Sequence, residues 1–214
     1  MTIPPLYSNN LTLSPSAKSI PYAGDRITQL SEQPRDSINY GFRNLKLEPS
    51  LITTIPELSE DKSLRAIVKN INEPDTCFFT VGCASQLVTH SSSRDIGNSR
   101  PQGYKRQGYL EISWNCTGCI QDAINYFALY FHFQKYLREN GFNQPIDLKW
   151  IIEEASFSEV GIDGFSCSIH LETRLMSSTE QAEQVWQLSL KTIDGYFKSV
   201  HNQTSTPIYD PLAV

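Results

Sequence analysis

Phe165-Ser166-Cys167-Ser168-Ile169-His170-Leu171-Glu172 alternates apolar and polar residues almost without a break. A β-strand turns successive side chains to opposite faces. The stretch therefore puts Phe165, Cys167, Ile169 and Leu171 on a dry face and Ser168, His170 and Glu172 on a wet one. Upstream, Gly161–Gly164 reads as a turn, and the strand before it, Asp147–Ala155, points Leu148, Trp150 and Ile152 one way. Tyr109–Trp114 repeats the pattern with Leu110, Ile112 and Trp114, and Cys77–Cys83 with Cys77, Phe79, Val81 and Cys83. Alternation in all these segments predicts an antiparallel sheet of about four strands, with one face under helices and one wetter face.

The helices lie between and around the strands. Ser59 is placed to cap a helix over Glu60–Ile71 whose stripe is Leu64, Ile67, Val68 and Ile71. From Gly118 to Glu139 the chain is apolar on nearly every side. One row is Ile120, Ile124, Phe127 and Phe131; the other is Ala123, Tyr126, Tyr130, Phe133 and Leu137. The first row is expected in the core and the second against a further layer or subunit. Asn140-Gly141-Phe142 supplies a left-handed stop with a trailing hydrophobe. Ser177-x-x-Glu180 has the spacing of a capping box. It opens a last helix that buries Ala182, Val185, Trp186, Ser189, Ile193, Tyr196, Phe197 and Val200. The fold class expected is thus α+β, built from two strand–strand–helix units with the helices on one face. Residues 59–200 form the domain, 201–214 an irregular tail, and 1–58 an extended Pro-rich N-terminal arm. Six of the twelve prolines fall in the first fifty residues, and its apolar residues follow no period.

Composition narrows the function classes. Of 214 residues, 39% are hydrophobic and 11% aromatic, enough for a packed core. A net charge of −5, with 23 acidic against 18 basic side chains, disfavours a surface built for nucleic acid or an anionic membrane. No apolar run is long and uncharged enough to span a bilayer, and Met1–Pro5 carries no signal-peptide pattern. With five cysteines, the expectation is a cytoplasmic protein with reduced thiols.

Three groups of residues carry candidate chemistry. Cys116 and Cys119 form a C-x-x-C pair where a strand hands over to a helix, the position of a redox pair. No Lys, Arg or His lies within eight residues of the pair, and Asp122 follows in the first turn, so a structural role is expected. A zinc site drawing on Cys77 and Cys83 fails on distance, because C-x₅-C along a straight strand separates the sulfurs by roughly 20 Å. No metal and no cofactor is expected. The wet face gathers Glu111, Glu153, His170 and Glu172, with Ser113, Lys149 and Ser168 beside them. A histidine among carboxylates suits acid–base chemistry, and equally a solvated or partner-facing sheet surface. The segment around residues 90–107 holds Arg94, Arg100, Lys105 and Arg106 against Asp95, an anion- or partner-binding loop.

No one catalytic set closes. The expectation is a non-catalytic binding or assembly protein, an accessory factor acting through homo-oligomerisation and its N-terminal arm, with a second copy or another protein as partner. The alternative is a thiol-dependent redox enzyme or redox-sensitive regulator using Cys116 and Cys119.

Overall fold

A computed structural model describes residues 5–20, 42–90, 103–200 and 208–209. Along the chain run β1 (Ser8–Ile20), a 3₁₀ turn (Pro49–Thr54), α1 (Glu57–Glu60), α2 (Lys62–Ile71), β2 (Phe78–His90) and β3 (Gly103–Trp114). There follow α3 (Thr117–Ile120), α4 (Ala123–Glu139), β4 (Ile146–Phe157), β5 (Ile162–Thr173) and α5 (Thr179–Ser199). The strands form one sheet in the order β1-β4-β5-β3-β2.

This corrects the expected four-stranded antiparallel sheet. The sheet has five strands and is mixed, because β1 lies parallel to β4 from Ser8↔Asp147 to Ile20↔Phe157. The other pairs, β4·β5, β5·β3 and β3·β2, are antiparallel. The extra strand comes from the segment read as an arm. As an edge strand it has one neighbour and stays largely exposed, so its residues carry no alternation. Pro15 sits inside it, at a register shift between Leu13 and Ala17 where a missing N–H costs no ladder bond.

Parity places the helices. Leu148, Trp150 and Ile152 of β4, Ile169 and Leu171 of β5 and Leu110 and Ile112 of β3 are all buried on the helix-covered face. On α4 the buried row is Tyr126, Leu129, Tyr130, Phe133 and Leu137, while Ile124 and Phe131 are 64% and 62% exposed. The expected roles are therefore reversed for Ile124 and Phe131 and for the row of Tyr126, Tyr130, Phe133 and Leu137, whereas Ile120 is buried as expected and Phe127 is half-buried against the core. The predicted single helix is also two, since Asp122 accepts from the Ile124 N–H and starts α4 afresh. Tyr130 and Phe133 pack their rings on Trp150. The α5 face is as expected for Ala182, Val185, Trp186, Ser189, Ile193, Tyr196 and Phe197, all buried, with Leu190 beside them, while Val200 is half-buried just past the helix end. Gly108 is where Trp186 meets the sheet: a Cβ there would stand 2.9 Å from the indole and 2.1 Å from the Ala84 carbonyl. The α2 cap is Asp61 rather than Ser59, and the α5 cap is Ser178.

The reverse face has two halves. At one end the sheet curls until Phe79 of β2 and Phe157 of β4 meet with centroids 5.8 Å apart. Phe42 and Tyr209 close over Phe79, making a second, smaller core. Lys46, buried, ties the chain after Phe42 to the turn before β2 through the Glu73 and Thr76 carbonyls. Burial lowers its ammonium to about 8. At the other end the reverse face is open. No helix among the described residues is long and apolar enough to cross a membrane.

Candidate functional site

The open half of the reverse face is a trough of about 880 Å³ to which all five strands contribute. Ser8 and Asn10 come from β1, Lys149 and Asp147 from β4, His170 and Glu172 from β5, Tyr109 and Gln107 from β3, and Gln86 from β2. Glu57, on α1, stands at its rim. All the strand residues share the parity opposite to the helix-covered face, so the pleat delivers them to one surface.

Between trough and small core lies an ionic cluster. Lys18 Nζ is 2.5 Å from Glu111 Oε1 and 2.7 Å from Glu153 Oε2, and Ser16 Oγ donates to Glu153 Oε1 at 2.8 Å. Glu111 is buried and Lys18 nearly so. Burial pushes the Glu153 carboxyl up, but hydrogen bonds from Lys18, Ser16 and Ser14 outweigh it and hold the group below its ordinary value. One ammonium thus bridges carboxylates from two strands and pins β1 to them.

His170 lies beside this cluster, its ring 5.6 Å from Tyr109 and tilted by 30°. Burial and the Lys149 ammonium lower its pKa against the smaller pull of Glu111 and Glu153, so the imidazole is neutral at neutral pH. Glu111 and Tyr109 converge over Gly82, where a Cβ would stand 3.5 Å from Tyr109 Oη and 3.7 Å from Glu111 Oε2. Glu172 is paired with Lys105 at 2.5 Å. The side chains of Asn10, Gln86, Gln107 and Lys149 carry no hydrogen-bond partner among the described residues.

The four wet-face residues named from sequence, Glu111, Glu153, His170 and Glu172, therefore do share one face. Ser113 does not remain there as a free polar group. Beyond the last β3–β5 pair, Ile112↔Cys167, the strands part, and Tyr126 of α4 fills the gap. Its hydroxyl lies 2.8 Å from Ser113 Oγ and donates to the Phe165 carbonyl.

The basic segment divides. Arg94 and Arg100 lie outside the described residues. Lys105 and Arg106 belong to β3, not to a loop. Arg106 points to the helix-covered side, where its Nη2 donates to Asp61 Oδ2 at 3.0 Å and its guanidinium lies over Trp186. Asp61 also accepts from Trp186 Nε1 at 2.7 Å and from the Leu64 N–H at 2.8 Å. Burial raises the Asp61 pKa less than these bonds lower it, so the carboxylate stays ionised. Arg106 is thereby committed to the core.

Cys116 caps α3, its Sγ accepting from the Cys119 N–H, and the two Sγ atoms are 2.8 Å apart. Among the described residues no group of three or more His, Cys, Asp or Glu side chains is gathered to hold a metal.

Sequence reasoning missed Lys18, Ser16 and Asp61. Lys18 lies in the segment without alternation, so no periodicity marks it. Asp61 had a legible signal as an Asp opening an apolar stripe, but Ser59 competes for that cap. Comparison with protein-family models, with curated proteins and with solved structures yields no match.

Proposed function

We propose that this chain is a non-catalytic, cytoplasmic binding protein whose trough receives an extended polypeptide segment of a protein partner. The observation that carries the reading is the set of amide side chains, Asn10, Gln86 and Gln107, set on three strands along one open channel. Each offers a donor and an acceptor with no partner among the described residues, as a peptide backbone requires. Tyr109 adds an aromatic surface, and the size falls within the range of ligand sites. Against catalysis weighs the commitment of Glu111 and Glu153 to Lys18. A carboxylate saturated by an ammonium is a poor general base.

Assembly with a second copy is the other half of the proposal. Ile124 and Phe131 of α4 are exposed, and Leu13 on the neighbouring edge strand is 56% exposed. Tyr130 Oη and Gln134 Nε2 donate to the Asn9 carbonyl, so helix and strand edge are adjacent. Apolar surface of this kind marks contacts between proteins.

Selection of displayed random peptides on the full chain tests the trough. The expected result is an enriched consensus whose binding, measured by titration calorimetry, falls about tenfold or more for Gln107→Ala and for Lys149→Glu, the loss of about one good hydrogen bond. Both variants should keep the wild-type melting temperature. No enrichment, or wild-type binding by both variants, refutes the reading.

A further inference from the structure

We propose that Cys116 and Cys119 are a thiol–disulfide site that a low-molecular-weight disulfide of the glutathione class oxidises to an internal disulfide. The geometry carries this in three parts. First, the sulfurs are 2.8 Å apart, within about an ångström of the roughly 2.05 Å of an S–S bond, and both residues lie in one turn. Second, the two differ in access. Cys116 is 1% exposed, whereas Cys119 is only half-buried, so one sulfur meets the reagent and the other waits behind it. Third, the turn is held in place. The Ile120 carbonyl rests on Gly164 of β5, where a Cβ would stand only 2.5 Å away, and Asn125 Nδ2 donates to the Cys119 carbonyl at 3.2 Å.

The steps balance without a further reactant. Cys119, as thiolate, attacks one sulfur of the small disulfide. That S–S bond breaks, and the departing thiolate takes up the proton Cys119 lost. Cys116, as thiolate, then attacks Cys119 Sγ, breaking the mixed disulfide and releasing the second small thiol, which takes the Cys116 proton. The dithiol loses two electrons and the small disulfide gains them. The other cysteines are poorly placed to compete. Burial pushes the Cys83 thiol up to about 12 and that of Cys167 higher still. Cys77 is half-buried and directs its thiol to the Val200 carbonyl.

The test incubates the full native chain with oxidised glutathione, quenches with iodoacetamide and maps the thiols by mass spectrometry. The wild type should carry a Cys116–Cys119 link that dithiothreitol reverses. Cys116→Ser should retain a glutathione adduct on Cys119, because the resolving thiol is gone. Cys119→Ser should carry no adduct on buried Cys116. A wild-type chain that forms no such link in its native state, or forms it only after denaturation, overturns the proposal whatever the variants do. An adduct on Cys116 in Cys119→Ser, with none on Cys119 in Cys116→Ser, overturns the assigned order of attack.

Discussion

Replacing Lys18 by methionine should destabilise the whole domain. Its ammonium lies between Glu111 and Glu153, with side-chain exposures of 15%, 5% and 22% for lysine and the two carboxylates in turn. Removing one partner of a buried ion pair costs about 3–5 kcal/mol, because an uncompensated charge is left behind. Partial access of water to Glu153 puts this case near the low end, about 3 kcal/mol. For a chain of this size that is a fall of roughly 6–12 °C in melting temperature, at about 2–4 °C per kcal/mol. The pH dependence fixes the cause. Glu153 titrates below its ordinary value in the native fold, so its contribution is present above the unfolded carboxylate range and is lost as pH falls through the lowered value. Without Lys18 both carboxylates lose their shared cation and Glu153 loses the bond that holds its pKa down, so acid relieves the variant while it weakens the wild type. Thermal and urea unfolding at pH 7 and at about pH 4.5 should show the gap between the two proteins narrowing on acidification. Adding Glu111→Gln to Lys18→Met should recover part of the loss at pH 7. A Lys18→Met protein within about 0.5 kcal/mol of wild type, or a gap that widens in acid, would refute the ion cluster as the tie that holds β1.

Asp61→Ala should cost about 3–5 kcal/mol in urea unfolding, since it removes the α2 cap and strands the Arg106 guanidinium and the Trp186 N–H together; Asp61→Asn, whose one amide oxygen can still accept from Arg106 and Trp186 while the Leu64 N–H loses its acceptor, should cost clearly less, and equal costs would count against this reading. Tyr130→Ala should lose about 3 kcal/mol or more by removing the ring packed on Trp150, whereas Phe131→Ser should change stability by less than about 0.5 kcal/mol. In light scattering Phe131→Ser should nonetheless reduce self-association, and an unchanged mass at every concentration would remove the assembly half of the proposal.

The parts of the fold that were legible were those where burial has one side. The stretch Ile169–Glu172 lies between two neighbours with a helix layer on one face and the trough on the other, so its pattern is a direct image of its surroundings, whereas Ser166 and Ser168 before it are buried despite their polar parity. The α5 face was legible for the same reason. β1 was not, because an edge strand with a proline at its register shift leaves most side chains in water, and because its partner lies far along the chain. Parallel pairing of that kind leaves no local turn to read. α4 failed in the opposite way. With apolar residues all round, periodicity offers two solutions, and the choice falls to the wall it meets: Trp150 receives Tyr130 and Phe133, and nothing described covers Ile124 and Phe131.

The candidate site shows how far parity reaches into chemistry. It correctly gathers Glu111, Glu153, His170 and Glu172 on one face, yet a shared face fixes position and not charge state. What decides the chemistry is Lys18, from the one strand the pattern hides. With its ammonium against two carboxylates, Glu111 and Glu153 are both occupied, and Glu172 is occupied by Lys105. His170 is left neutral beside Tyr109, with Lys149 rather than a carboxylate as its strongest charged neighbour. A general base of the histidine–carboxylate kind needs an acceptor on its second nitrogen to stabilise the imidazolium, and a neighbouring ammonium acts against it. Neutral donors and acceptors on four of the strands, the amides of Asn10, Gln86 and Gln107 with His170, instead favour recognition by hydrogen bonds, and for that reason the proposed occupant is a polypeptide segment rather than a substrate undergoing proton transfer.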